Sequence, residues 1–413
     1  MSSTTSAAEP HEGIGFREFI ALMAASMAIN ALAIDMMLPA LPQVGMALGV
    51  EDENTRQLVI TAYLLGFGVA QLFYGPMSDI LGRKHLLVGG VGIYVIFGLF
   101  ATFASSFEQL MLARALQGVG AAATRVISIS IVRDCYGGRR MASVMSLIML
   151  VFVVVPVVAP SLGQIIVIFA PWRWLFGFLT VLGLIVFTWA AIRLPETLPP
   201  ERRLKSSVRS VIAAYREALT NRIALGYALA TALVLGGLFG FINSAQQVFV
   251  EIFDTGVFFP VAFASIALFM ALSSYVNSKV VERLGMRLVS HSALVGFVGL
   301  SLLHTILILS GIENLWSFLL IQAATMFCFG FVMSNFNAMA MEPLGHIAGA
   351  ASSALGFWTT VGGALCGYVI GQRYDGTTLP LAAGFAILGA LALVLVFLTE
   401  GGRLFHARNV PAE

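Results

Sequence analysis

The chain has 413 residues, of which 23 are Lys or Arg and 21 are Asp or Glu, so 11% are charged where soluble domains carry about 25%. Hydrophobic residues make up 59% and mean hydropathy is +0.91, more apolar surface than a soluble core can bury, since such cores stop growing near about 250–300 residues. These values exclude a disordered chain, a basic-faced nucleic-acid binder and a disulfide scaffold, and leave a protein that crosses a membrane many times.

Residues 1–17 are rich in Ser, Thr and Ala and lack the basic start of a signal peptide, so a short disordered tail is expected there. Apolar runs long enough to span follow at 18–41, 57–76, 85–105, 108–132, 142–169 and 172–193. Six more come at 223–246, 258–278, 288–310, 315–340, 347–370 and 379–400. Runs of this length favour helices over barrel strands, which alternate over about ten residues. The longest polar stretch, 195–222, reads as a cytoplasmic linker between an N-terminal bundle (18–194) and a C-terminal bundle (223–400), with a tail at 401–413. The expected fold is therefore an all-α membrane protein of 12 transmembrane helices in two six-helix bundles.

With the N-terminus placed in the cytoplasm, 18 of the 23 cations fall in inside segments. Only Arg56, Arg173 and Arg373 fall outside, and Arg114 and Arg125 lie within the fourth span. That asymmetry obeys the positive-inside rule and puts both termini in the cytoplasm. A weak repeat supports duplication: Asp79, Gly82 and Lys84, shifted by 203, meet Glu282, Gly285 and Arg287. Parallel six-span repeats with a site between them are a transporter architecture.

The charges left inside apolar runs carry the chemistry. Asp35, near the end of the first span, is the one acid embedded there. It is either a functional carboxylate, whose proton affinity rises with burial and falls beside a cation, or a helix-end residue facing water or capping the Pro39 turn. Arg114 and Arg125 are 11 residues apart, which leaves them about 20° apart on one helix face. Each lines a cavity or snorkels to a headgroup. Tyr63, Gln246 and Asn337 are candidate cavity residues, and Asn337 is preferred over Asn335 because the two point about 200° apart. His304, among leucines and isoleucines, reads as a neutral interhelical hydrogen bonder. Cys135, Cys328 and Cys366 are scattered, with no metal spacing, and no cofactor is expected.

After the second span comes Gly75-Pro76-Met77-Ser78-Asp79-Ile80-Leu81-Gly82-Arg83-Lys84. Gly75 admits a neighbouring helix, Gly82 permits a tight turn, Asp79 can face a helix N-terminus or a cation, and Arg83 and Lys84 suit cytoplasmic headgroups. This loop resembles the signature loop of the major facilitator superfamily, and Arg114-Ala115-Leu116-Gln117-Gly118-Val119-Gly120 resembles that superfamily's fourth-span motif. Ile34-Asp35-Met36-Met37-Leu38-Pro39-Ala40-Leu41-Pro42, Tyr63-Leu64-Leu65-Gly66-Phe67, Ile131-Val132-Arg133-Asp134 and Glu196-Thr197-Leu198-Pro199-Pro200 resemble its Bcr/CflA branch of drug:proton antiporters. The resemblance runs from about residue 20 to 400.

It implies the major facilitator fold and proton-driven export of small amphipathic drugs across a bacterial inner membrane, with Asp35 and Arg114 in proton coupling. It also implies that the Gly75–Lys84 loop latches the halves, and that the partners are a drug-like molecule, protons and lipid for a monomeric protein that binds no nucleic acid. Two departures stand out. The fifth span keeps Pro160 and Gly163, with Pro156 a turn earlier, but has Ala159 and Gln164 where glycines are usual. Pro156 and Pro160 should bend it. The second acid that some related exporters carry before the Asp35 position is replaced here by Met27-Ala28-Ile29-Asn30. The competing expectation is export of a native metabolite such as an amino acid, sugar or nucleoside. An enzyme lacks support, because dispersed histidines and one embedded acid make no catalytic cluster.

Overall fold

The computed structural model describes residues 14–203 and 208–406. Parts of the expected tails and four residues of the linker therefore lie outside the described residues. Among the described residues the regular structure is all helical. The first half comprises α1 (Phe16–Asp35), α2 (Leu41–Ala47), α3 (Leu58–Leu81), α4 (Arg83–Thr102), α5 (Phe107–Cys135), α6 (Gly138–Phe169) and α7 (Arg173–Arg193). A short amphipathic helix, α8 (Val208–Thr220), leads to α9 (Arg222–Gln246), α10 (Phe259–Leu284), α11 (Met286–Leu309), α12 (Leu315–Met341), α13 (Ala348–Gly371) and α14 (Leu379–Thr399).

Eleven segments are long and apolar enough to cross a membrane, and the longest, Leu315–Gly371, holds both α12 and α13. Those two are parted at Leu344, whose φ of −116° and ψ of 19° break the helix. The outer surface is apolar, with Phe103, Ile192 and Trp316 each more than 70% exposed, as expected of side chains that meet lipid rather than water.

Helix ends follow local chemistry. Ser106 caps α5, Asn221 caps α9, and Asn314 forms a capping box with Ser317 at the start of α12. Gly82 and Gly285 make the sharp turns between α3 and α4 and between α10 and α11, with φ/ψ of 98°/159° and 81°/152°. Only glycine adopts this region without strain. The two turns sit at the positions related by the sequence repeat.

Most close packing lies within α1–α7 or within α9–α14. Between the halves α3 packs on α13 and α6 on α10. Two expectations need correction. Gly75–Leu81 is not loop: α3 continues through Pro76 to Leu81, because the residues before Gly82 remain compatible with helix. The polar linker also contains α8, whose Val211, Ala214, Tyr215 and Ala218 form its less exposed face. Tyr215 Oη donates to the Leu72 carbonyl of α3 at 2.5 Å. Burial pushes the Tyr215 phenol up to about 12.

Candidate functional site

Two of the cavities between the halves hold expected residues: Asp35 lines one, and Arg125 and Asn337 line the other. The first, of about 140 Å³, is lined by Asp35 and Asn30 of α1, Pro156 of α6, and an apolar wall that includes Phe239, Phe241 and Phe263. Asp35 is the last residue of α1 and is 4% exposed. No ion pair or hydrogen bond reaches its carboxylate among the described residues. The chain beyond it tightens into a 3-10 turn at Leu38–Ala40 around Pro39. Gly163 of α6 has no room for a side chain because the Met36 carbonyl lies against it. The close helix contact that the fifth span needs is thus made at the retained glycine rather than at Gln164.

The second cavity, of about 260 Å³, is the more polar of the two and lies nearer the Gly82 turn. Its lining includes Gln71 and Asp79 of α3, Arg125 and Arg133 of α5, Asn337 of α12 and Thr359 of α13. Arg125 therefore opens into a cavity between the halves. Asn337 lines the same space, whereas Asn335 points away and donates to Asn277 Oδ1 at 2.7 Å.

Arg114 occupies a different environment from Arg125. Its guanidinium donates to Ala33 O at 2.8 Å, Val59 O at 3.1 Å and Gln117 Oε1 at 2.7 Å, and lies 4.4 Å from the centre of the Tyr63 ring. It is fully buried. The Arg114 fork is filled by neutral oxygens and does not pair with the Asp35 carboxylate; it touches α1 two residues before Asp35. Insertion of an arginine costs about 2.5–3.5 kcal/mol, and three charge-assisted hydrogen bonds offset it. Tyr63 is also not on a cavity surface. It is 0% exposed, and its hydroxyl donates to Asn30 Oδ1 at 2.8 Å, so it holds a cavity residue from behind. Gln246 is buried at the end of α9 and lines neither cavity.

At the Gly82 turn, Arg83 bonds Asp79 at 2.7 Å and Asp134 at 2.9 Å, and its amide donates to Glu196 Oε1 at 2.8 Å. Arg83 is only 3% exposed, so it does not reach headgroups: two carboxylates from α3 and α5 enclose it instead. Lys84 is half-buried in the first turn of α4. The second half repeats the device, with Arg287 Nε donating to Glu400 at 2.8 Å. Gly75 faces Ser353 across the seam, and the Asp79 carboxylate approaches Gly349 in the first turn of α13.

The opposite ends of the halves are joined by amides. Gln57 Nε2 donates to Gln247 Oε1 at 2.6 Å, Gln247 Nε2 to Asn54 Oδ1 at 3.0 Å, Asn54 Nδ2 to Tyr374 O at 3.0 Å, and Gln372 Nε2 to Asn54 O at 2.7 Å. Asp52 anchors this loop by accepting from Thr55 N at 2.8 Å, and its carboxyl is held below the usual range by the Thr55 hydroxyl. Asn54, Gln57 and Gln372 escape sequence reasoning because polar residues at span ends look like ordinary loop.

Residues 23–367 match the family described as Major Facilitator Superfamily. The chain is 30% identical over 374 residues to the protein named "Uncharacterized MFS-type transporter YdgK" of Bacillus subtilis, covering 88% of this chain and 91% of that one. It is 28% identical to a "Bicyclomycin resistance protein homolog" of Haemophilus influenzae, over 88% and 91% of the two chains. It is 30% identical to "Multidrug resistance protein MdtL" of Escherichia coli O157:H7, over 80% and 83%. The crystal structure of the human organic anion transporter MFSD10 superposes with a TM-score of 0.65 at 20% identity, covering 93% of this chain and 99% of that one, which bears on the fold alone. With the family match spanning most of its length and relatives of this kind, the chain belongs to the major facilitator superfamily, in its Bcr/CflA branch.

Proposed function

We propose that the protein is a proton-coupled antiporter that exports small amphipathic drugs or toxic compounds across a bacterial inner membrane. Its twelve spans form two six-helix halves, and both termini are cytoplasmic. The observation that carries the reading is Asp35, an acid at the wall of an apolar cavity between the halves with no cation beside it among the described residues. The names of the bicyclomycin-resistance and multidrug-resistance relatives favour drugs as cargo.

In this reading the face bearing Gly82 and Gly285 is cytoplasmic, and the amide-joined face is outer. Cargo enters the polar cavity from the cytoplasm. The halves rock, the amide contacts part, and cargo leaves as Asp35 takes a proton from outside. The proton's return follows the membrane potential, which supplies about 2.3 kcal/mol per charge per 100 mV. Arg114 is a positioning residue: its bond to the Ala33 carbonyl fixes the last turn of α1, and so the place of Asp35.

Asp35→Asn keeps the shape and a hydrogen-bonding group but cannot release a proton at any working pH. In an efflux-deficient host it is expected to abolish drug resistance, and in proteoliposomes to abolish export driven by a pH gradient, while the protein still inserts. Resistance equal to wild type at equal expression overturns the assignment.

A further inference from the structure

We propose that Arg125 is an anion subsite, and that the cargo entering the polar cavity carries a carboxylate or a similar acidic group. The proposal deepens the efflux reading and rests on it for the identification of the occupant as cargo.

Three charged side chains line that cavity: Asp79, Arg125 and Arg133. Asp79 is committed to Arg83 at 2.7 Å. Arg133 stands two helical turns from Arg125, toward the Gly82 face, and adds a second positive charge there. Arg125 makes no ion pair or hydrogen bond among the described residues, and its side chain is exposed only because the cavity is there. Arg125 and Arg133 are thus the cations that face the cavity, and its one lining acid is paired with Arg83.

The same helix shows what a structural arginine looks like. Arg114 is enclosed by three oxygens and an aromatic ring, and none of its surface faces space. Arg125 has none of these partners. A cation held inside an apolar span without protein partners is costly, and a ligand anion is the compensation still open to it. Guanidinium is also the group best matched to a carboxylate, since its parallel N–H bonds pair with both oxygens. Around it Asn337 supplies a neutral amide, while the Ser130 and Thr359 hydroxyls donate to the Val126 and Gly356 carbonyls. A volume of about 260 Å³ suits one or two fused rings with an acidic substituent. Asp35 lines a separate cavity, so an anion at Arg125 does not sit against the proton-binding carboxylate.

The test compares two probes of nearly equal shape, 2-naphthoate and 2-naphthamide, by titration calorimetry and thermal shift on purified protein in a neutral maltoside detergent. Wild type is expected to bind the acid at least tenfold more tightly than the amide. Arg125→Gln is expected to remove that preference, and Arg125→Lys to keep part of it as a point charge. Arg125→Gln takes a charge out of an apolar span, so it is expected to remain monodisperse. Inorganic phosphate distinguishes a free anion from a cargo group. Saturation by phosphate with no response to naphthoate overturns the proposal, as does an acid preference that is absent in wild type or unchanged in Arg125→Gln. The measurement is at equilibrium without a gradient. A failed Asp35→Asn efflux test therefore leaves it standing, and a missing acid preference leaves the efflux reading standing.

Discussion

An arginine inside a membrane span must find protein oxygens or an aqueous space, and α5 carries one of each kind. Arg114 shares its five N–H groups among two backbone carbonyls and one side-chain amide, on three different helices or turns. A lysine at this position offers one ammonium that cannot reach the Ala33, Val59 and Gln117 oxygens in the same fork. Arg114→Lys is therefore expected to lower stability by about 1–3 kcal/mol, the cost of leaving buried acceptors unmatched. Arg125→Lys, whose side chain faces the cavity, is expected to change it by less than about 0.5 kcal/mol. Thermal unfolding in detergent, followed by the loss of the monodisperse peak, measures both. Equal melting temperatures for the two variants contradict this division of roles. That both arginines and Asp35 lie within apolar spans was readable in the sequence, because a charge in an apolar run stands out. The partners of Arg114 were not readable, because every residue owns a carbonyl and only the fold selects Ala33 and Val59.

The turn between α3 and α4 shows how one helix end does several tasks. Gly82 turns the chain at positive φ, Arg83 begins the next helix and closes on Asp79 and Asp134, and Glu196 folds back onto the Arg83 amide. Gly285 makes the equivalent turn, but a side chain there meets open space, whereas at Gly82 it meets the Glu196 carboxylate and the Arg203 guanidinium. Both Gly→Ala changes carry the backbone penalty of about 1–3 kcal/mol, and Gly82→Ala adds displacement of Glu196. The melting temperature of Gly82→Ala is expected to fall further than that of Gly285→Ala, and the reverse order refutes the role given to Glu196. The duplicated turn was legible as a repeat of acid, glycine and cation. The matching use of Glu196 and Glu400 was not, because each lies over a hundred residues from the arginine it serves. Helix α8 had a readable signature in Val211, Ala214, Tyr215 and Ala218, spaced as one helical face, but the surrounding charges made the stretch look like plain linker.

At the scale of the whole molecule the two faces are closed by different chemistry. On the Gly82 face buried ion pairs fasten helices within each half, through Arg83 in the first and Arg287 in the second. On the other face the hydrogen bonds between halves include a set of neutral amides: Asn54 and Gln57 from one, Gln247 and Gln372 from the other. The difference has a thermodynamic consequence. Amides parted in water recover hydrogen bonds to solvent, so each bond contributes only about 0.5–1.5 kcal/mol net. A seam of this kind can open and close many times per second without a large barrier, and acidic side chains (Glu51, Asp52, Glu53, Glu251 and Asp375) line its outer rim. If the halves rock as proposed, Gln57 and Gln247 must separate in every cycle. The decisive variant replaces both with cysteine in a chain whose Cys135, Cys328 and Cys366 have been changed to serine or alanine. A short bis-methanethiosulfonate reagent then joins the two positions. Export in proteoliposomes is expected to fall to background after cross-linking and to return on reduction, while each single-cysteine variant treated alike keeps transporting. Sustained export by the cross-linked double variant would show that this face does not open, and that cargo leaves by another route.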